Sequence, residues 1–362
     1  MNFRAGLIKA LLKERHQVIC IIPREEASQS LRELGVEVQE VFIDATGTSL
    51  LGEIRYCYNL FYILFKTKPD YYFGYTIKPN IYGAFISRIL NIKSILNITG
   101  LGSSFLKNNF LTKIIFLLYR VSLSSAHLVF FQNEEDREIF FHTRILTNQK
   151  TMILPGSGVN LNKFSMDFAP NAFEETVQKN KSKADFNFLL ISRLLVDKGI
   201  LEFIEAIKIL KTEDRKFTAI ILGPIEGLNS SSIDRAQLEN WILQDLVIHH
   251  DFTDDVRPYI YNADCVVLPS YREGTPKSLL EAGAMGKPLI ATNVPGCRNV
   301  IEDGLNGFLC EPKSSKSLAE AMRKVLTMNS ETLKNLGIES QKKITKEYDE
   351  TIIHQIYLNL IK

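Results

Sequence analysis

The feature that most constrains this chain is a rhythm. In its second half, short unbroken apolar runs alternate with amphipathic stretches. The runs are "FNFLLIS" (186–192), "FTAIILG", "LVIHH", "DCVVLPS" and "PLIAT". Among them fall "KGILEFIEAIKIL" (198–210), "IDRAQLENWI" and "DVRPYIYNA", then "GCRNVIEDG" and "SLAEAMRKVL", which read as helices. A strand that is apolar at every position is buried on both faces. Strands of that kind separated by helices predict a parallel, doubly wound sheet. The first half repeats the pattern with "QVICIIP", "VEVQEVFI", "YYFGYT", "KSILNI", "HLVFFQ" and "KTMILPG". The stretch 165–185 is polar and unpatterned and reads as a linker. The fold class is therefore α/β, with two Rossmann-like domains at 1–164 and 186–345. The amphipathic end, 346–362, is not needed by the second sheet and is expected to pack back on the first domain. Two such sheets predict a cleft lined by loops from the carboxyl ends of their strands.

One departure stands out. A doubly wound domain normally opens on a strand, whereas this chain opens on the amphipathic "FRAGLIKALLKERH". The expectation is that the first domain either starts unusually or lacks one strand and its loop.

Composition enters as a set of exclusions. A formal net charge of +2 gives no reason to expect nucleic acid as a partner. Cys20, Cys57, Cys265, Cys297 and Cys310 are scattered, without a C-x-x-C pair, and read as reduced core residues of a cytosolic protein. The amino terminus alternates too many charges for a secretory signal. No run approaches the ~18 apolar residues of a membrane span. The nearest, 105–126, is interrupted by Lys107, Lys113 and Arg120. It reads equally as a core-facing helix or as an amphipathic face resting on anionic lipid.

The chemistry concentrates in "YREGTPKSLLEAGAMGKP" (271–288). Thr275 suits an N-cap and Pro276 a first helical position, while Gly286 suits the residue just past the end. A helix over 276–285 aims its first-turn N–H groups and positive dipole end at the ligand edge, which favours phosphate. Glu273, before the helix, and Glu281, inside it, repel phosphate but accept hydrogen bonds from hydroxyls. On the loop "ISRLLVDKG" (191–199), Arg193 and Lys198 add two cations suited to a diphosphate. Hydroxyl acceptors on either side of a phosphate site describe a nucleotide-sugar. The bland alternative makes all four residues solvated surface charges. His249 and His250 end a strand and read as structural, one inward and one outward.

These residues resemble the retaining glycosyltransferases of the GT-B fold that carry a Glu-x7-Glu motif. "PSYREGTPKSLLEAGAMGKPLIATNVPGCRNVIEDGLNGFL" is similar to their donor signature, and "ISRLLVDKG" to their diphosphate loop. "GYTIKPNIYGAFISRILNIKSILNITGLGSSF" and "LPGSGVNLNKF" resemble the subgroup acting on polyprenyl-diphosphate-linked glycans. The resemblance implies a UDP-sugar donor, a lipid-linked saccharide acceptor and work at the inner face of the cytoplasmic membrane, in capsule, O-antigen or glycoprotein assembly. It implies that Arg193 and Lys198 hold the diphosphate and that Glu273 meets the transferred sugar. Gly274, Thr275 and Pro276 would line the donor, and Glu281 would bind the ribose. Phe252 and Asp255 would lie near the base. Lys78, Thr99, Gly100 and Gly102, in the acceptor-side domain, would face the sugar and acceptor. The loop "NITGLGSSF" lacks the histidine that many relatives carry there, so no role for histidine is assigned.

No two aspartates stand two apart, so a D-x-D metal motif is missing and no metal or other cofactor is expected. Charge on the leaving diphosphate then falls to Arg193, Lys198 and the helix dipole. Rival readings are a same-fold epimerase or phosphorylase, whose acid–base or pyridoxal-phosphate residues are not evident, and a non-catalytic nucleotide-sugar binder.

Overall fold

The computed structural model describes residues 4–23, 27–43, 49–100, 110–170, 186–226 and 231–361. The chain folds as two compact units, Met1–Ser157 with Glu350–Lys362, and Gly158–Asp349. Much of the expected linker, 171–185, lies outside the described residues.

Unit 1 opens with α1 (Ala5–Lys13), β1 (Ile19–Pro23), α2 (Ala27–Glu33), β2 (Glu37–Val41), α3 (Leu50–Thr67) and β3 (Tyr71–Tyr75). It continues with α4 (Ile77–Ile89), β4 (Lys93–Ile98), α5 (Phe110–Leu123), β5 (Leu128–Phe131), α6 (Glu134–His142) and β6 (Thr151–Ile153). Every pairing is parallel, but the strands form two sheets, β1–β2 and β3–β4–β5–β6. Local sequence sets these elements. In α6, Asn133 caps the helix by accepting from the Asp136 N–H, and three acids occupy the first turn. On one face of the larger sheet, Leu60 and Leu64 of α3, Ala84 of α4 and Leu123 of α5 pack on Leu96, Val129 and Phe131. On the other, Leu7 and Leu11 of α1 pack with Ile95, Leu128 and Phe130. The carboxyl-terminal helix, Glu350–Leu360, joins that second core through Ile353 and Tyr357. Tyr357 lies edge-on to Phe73 and donates its hydroxyl to Asn97 Oδ1 at 2.5 Å.

Unit 2 comprises β7 (Phe186–Ile191), α7 (Ile200–Lys211), β8 (Phe217–Leu222), α8 (Arg235–Leu243), β9 (Ile248–His250), α9 (Arg257–Asn262) and β10 (Cys265–Leu268). It closes with α10 (Lys277–Ala284), β11 (Leu289–Thr292), α11 (Cys297–Val300), β12 (Gly307–Cys310), α12 (Ser315–Leu326) and α13 (Ser330–Glu347). Its sheet is continuous and parallel, in the order β12–β11–β10–β7–β8–β9. Alternate residues of β7 enter opposite cores, Phe188 and Leu190 on one side and Leu189 on the other. That is the doubly wound arrangement expected from the apolar runs.

The structure departs from the sequence reading at several edges. Residues 158–170 belong to unit 2, because Val159 and Phe164 enter its core and the Val159 N–H donates to the Tyr348 carbonyl. Two elements are not legible in the periodicity. One is β12, short and opened by glycine. The other is α13, polar over most of its length but burying Leu336 and Ile344. Cys265, Cys297 and Cys310 are buried, whereas Cys20 and Cys57 are only half-buried.

Candidate active site

Two loops at the carboxyl edge of the unit 2 sheet build the site. β7 and β10 are adjacent and parallel, so the segments following them emerge side by side. After β7, Leu194 and Leu195 are buried and tether the loop, which tightens into a 3-10 turn at Val196–Lys198. After β10 comes "PSYREGTP". Lys198 Nζ donates to Glu273 Oε1 at 2.6 Å, and the two side chains are only 19% and 15% exposed. Residues far apart in sequence thus form one ion pair where water is largely excluded, which strengthens their attraction. Tyr271 clamps the same two loops. Its N–H donates to the Asp197 carbonyl at 2.9 Å, and its hydroxyl donates to Glu202 Oε1 at 2.7 Å. Burial raises the Tyr271 pKa, and Glu202 adds to the rise, so the hydroxyl stays a donor.

A third loop closes in from β11. Gly296 has φ +82°, and a β-carbon there would stand 2.1 Å from the Gly274 carbonyl oxygen. Only glycine allows that approach. Cys297 follows, fully buried; burial pushes its thiol well above the usual range, and the Glu273 charge adds to this.

The helix start differs from the expectation. α10 runs over Lys277–Ala284, and Pro276, not Thr275, is the N-cap, with no side-chain capping bond. Pro276 sits at ψ 110°, outside the helical range, so its ring ends the loop instead of opening the helix. Its carbonyl accepts from Leu279 and Leu280, so the first turn of the helix opens directly after the loop. At the far end, Gly286 takes φ +70° just past the C-cap, as expected. Lys287 and Gly286 donate to Ala282 and Gly283, the paired bonds of a Schellman ending.

Glu281 is buried in α10, and desolvation raises its pKa against the opposing pull of Lys277 and Lys163. Lys277 Nζ lies 3.7 Å from its Oε1. Asp255 belongs to the same charge cluster, as a like charge to Glu281. Partial burial opposes ionisation of Asp255, but the Arg257 guanidinium and N–H outweigh it and hold the carboxyl below its usual range. Glu281 and Asp255 are therefore brought together, with Lys163, Lys277 and Arg257 around them.

Sequence reasoning missed those three cations. Lys277 lies inside the motif, one helical turn from Glu281, and Lys163 lies in "LPGSGVNLNKF", so spacing could have found the first. Nothing local could have found Lys163, which reaches Glu281 only because residues 158–170 strap onto unit 2. Arg193 does not join the Lys198 pair. Its side chain is 54% exposed and bonded to Glu226 Oε1 at 2.9 Å. Phe252 is exposed on the turn after β9. His249 and His250, successive residues of β9, are both half-buried. His249 Nε2 lies 2.9 Å from the Gly223 carbonyl, and His250 meets the Tyr259 ring edge-on.

In unit 1, Lys78 lies in the first turn of α4 and pairs with Glu53 of α3 at 2.5 Å. Just before it, Thr76 adopts φ +67°, ψ 173°, a region that costs a branched residue about 1–3 kcal/mol. Such strain persists only where surrounding structure enforces it. Buried asparagines tie the flanking backbone together, with Asn80 Nδ2 donating to the Asn97 carbonyl and Asn97 Nδ2 to that of Gly74. Thr99 and Gly100 follow β4 directly, and Gly102 lies outside the described residues.

Comparison with known proteins agrees with this architecture. Residues 172–343 match the family model described as glycosyl transferases group 1, and residues 2–133 match the glycosyl transferase 4-like model. Across 99% of its length the chain is 29% identical to the N,N'-diacetylbacillosaminyl-diphospho-undecaprenol alpha-1,3-N-acetylgalactosaminyltransferase of Campylobacter jejuni, covering 94% of it. Across 86% it is 26% identical to the UDP-Gal:alpha-D-GlcNAc-diphosphoundecaprenol alpha-1,3-galactosyltransferase of Escherichia coli, covering 81% of that protein. Across 94% it is 23% identical to the capsular polysaccharide glycosyltransferase CapM of Staphylococcus aureus, covering 89%. Among solved structures, Anabaena HepE, crystallised with UDP and glucose, superposes with a TM-score of 0.79 at 19% identity, over 100% of this chain and 96% of its own. Sucrose-phosphate synthase from Thermosynechococcus elongatus gives 0.81 at 17%, over 98% and 92%. The 4-like model falls on the first unit and the group 1 model on the second, and the chain is a glycosyltransferase of the GT-B fold.

Proposed function

We propose that this glycosyltransferase moves a sugar from a UDP-sugar to a polyprenyl-diphosphate-linked saccharide, with retention at the anomeric carbon. The assembly it serves is a bacterial surface polysaccharide or glycoprotein glycan, built at the cytoplasmic face of the membrane. One observation carries the reading. The Lys198–Glu273 pair stands at the carboxyl edge between β7 and β10, beside the opening of α10. The named relatives add the substrate class. Two are named for transfer to sugars on diphospho-undecaprenol, and the second of these for UDP-galactose as donor.

The chemistry follows from the charges. The bond between the anomeric carbon and the donor phosphate oxygen breaks, and negative charge gathers on the leaving diphosphate. Lys198, the first-turn N–H groups of α10 and the more exposed Arg193 meet that charge without a metal ion. The acceptor hydroxyl bonds to the anomeric carbon from the same side, and its proton passes to the departing phosphate oxygen. Glu273, released by Lys198 as phosphate arrives, accepts hydrogen bonds from the sugar hydroxyls. Glu281 accepts from the ribose, and Phe252 and Asp255 border the base. Lys78, Thr99 and Gly100 serve the acceptor.

The test is a panel of UDP-sugars offered with a polyprenyl-diphosphate-linked saccharide in the presence of a chelator. One pair should turn over, with the new bond in the donor's anomeric configuration. Turnover only with added divalent metal, or an inverted product, would overturn the mechanism; no transfer from any UDP-sugar would overturn the donor.

A further inference from the structure

The outer surface of unit 1 carries an apolar stripe that no part of the proposed chemistry uses. On α3, Leu51, Ile54, Tyr58, Tyr62 and Phe65 recur at spacings of three and four and are all more than half exposed. The opposite face of the same helix buries Tyr56, Leu60, Ile63 and Leu64. α3 is therefore apolar on two faces, and its own core accounts for only one. The neighbouring helices extend the surface, with Phe85 and Ile89 exposed on α4 and Leu117 and Val121 on α5. These helices lie in one layer, since their inner residues share a single core. Contiguous exposed apolar area of this kind marks an interaction site.

Charge selects the occupant. The exposed charged residues on α3, α4 and α5 are Arg55, Lys66, Arg88, Lys113 and Arg120, all basic. The one acid on these helices, Glu53, is turned inward to Lys78. No helix among the described residues is long and apolar enough to cross a membrane. A surface of aromatic and aliphatic side chains bordered by cations alone suits the interface of an anionic bilayer. We infer that unit 1 lies on anionic membrane through the α3 stripe, with α4 and α5 beside it. This deepens the reading of a lipid-linked acceptor and rests on it for its purpose, though the surface is read independently. It also moves the contact: the segment 105–126 contributes through α5, but the most exposed residues are on α3.

The experiment is co-sedimentation of the full chain, without acceptor, with phosphatidylglycerol–phosphatidylethanolamine vesicles and with phosphatidylcholine vesicles. Binding should be about tenfold or more stronger on the anionic vesicles and should weaken in about 0.5 M salt. The triple variant Tyr58→Ser, Tyr62→Ser, Phe65→Ser changes only exposed positions. It should lose about tenfold or more of vesicle binding while keeping its melting temperature. Its turnover on a short-chain, water-soluble acceptor should match the parent, and this arm separates loss of docking from failure of the acceptor reading. A parent that stays in the supernatant with anionic vesicles, or a triple variant that binds them equally well, overturns the inference. So does a parent that sediments as a dimer while the triple variant is monomeric, since the stripe would then be covered by a second copy.

Discussion

The two units are built from the same alternation, yet their sheets differ at one place. In unit 2, β7 is central, bonded to β8 on one side and to β10 on the other. In unit 1, β1 pairs with β2 and β3 pairs with β4, and among the described residues no strand joins β1 to β3. Among the described residues, the position that β7 fills has no counterpart there. Burial records the difference. Four of the six residues of β7 are fully buried, whereas all five of β1, though apolar, are only half-buried. A parallel sheet draws its stability from strands paired on both edges and covered on both faces, and among the described residues β1 is paired on one edge. The lesson is that unit 1 leans on its helices. α1 and the carboxyl-terminal helix pack together over the β3–β6 sheet, and α1 also reaches the core under β1 and β2 through Ile8.

The strongest way to break this comparison is at Tyr357. It is fully buried among Phe73, Phe130 and Ile95, with its hydroxyl on Asn97. Tyr357→Ala should cost unit 1 about 3–5 kcal/mol through the cavity it opens. Unit 2, which does not contain the residue, should unfold as before. Limited proteolysis with mass spectrometry checks this: cleavage should rise throughout unit 1 and remain unchanged across β7–β11. Equal loss of protection in both units would mean that they unfold as one.

Chemistry should divide the other way. Lys198→Met or Glu273→Gln should lower kcat by about 100- to 1000-fold, on the scale of losing one charge-stabilising donor. Neither change should alter proteolysis of unit 1. Arg193→Ala, at a more exposed position already paired with Glu226, should cost less than Lys198→Met. The reverse order would reassign the leading cation.

Legibility followed the same division. The strands of unit 2 were readable because buried parallel strands are continuous apolar runs, and β7, β8, β10 and β11 fall where the runs do. In unit 1 the runs were equally readable, and β3, β4, β5 and β6 fall where they do. The division of its strands into two sheets among the described residues was not, because pairing between distant strands leaves no local mark. At the site, Glu273 and Lys198 were identified individually, and adjacency of β7 and β10 explains why they touch. The N-cap was misread because Thr-Pro is a common helix opening, while Pro276 here keeps an extended ψ. Lys163 was out of reach because its place depends on long-range packing of a loop that sequence assigned to the other domain.

Hydrogen exchange sharpens the comparison between the sheets. Paired on one edge among the described residues, β1 should open locally, so its amides and those of β2 should exchange about 100-fold faster than those of β7 and β8. The measurement is residue-resolved exchange on the intact chain. Comparable protection would show that α1 and its neighbours shield the β1 edge as well as a bonded strand does.

The smallest effect lies inside unit 2, where function and stability oppose each other. Glu281 is buried, and burial raises its carboxyl pKa in the folded state. For an acid so shifted, the folded state binds the proton more tightly than the unfolded state does. Its contribution to stability is fully present below the unfolded pKa and is lost as pH rises through the folded one. At neutral pH the ionised carboxylate is therefore a net burden, only partly offset by Lys277 and Lys163. Glu281→Gln removes the desolvated charge and should raise the stability of unit 2 by about 0.5–1 kcal/mol at neutral pH. It should also flatten the gain that the parent shows as pH falls into the acid range. Affinity for the nucleotide-sugar should fall meanwhile, because an amide is a weaker acceptor than a carboxylate for a ribose hydroxyl. Melting curves of both proteins at neutral and mildly acid pH, with the KM for the donor, read the two effects separately. A lower melting temperature at neutral pH would mean that the ammonium groups of Lys277 and Lys163 outweigh the cost of burial, and that this carboxylate is held for the fold as much as for the ligand.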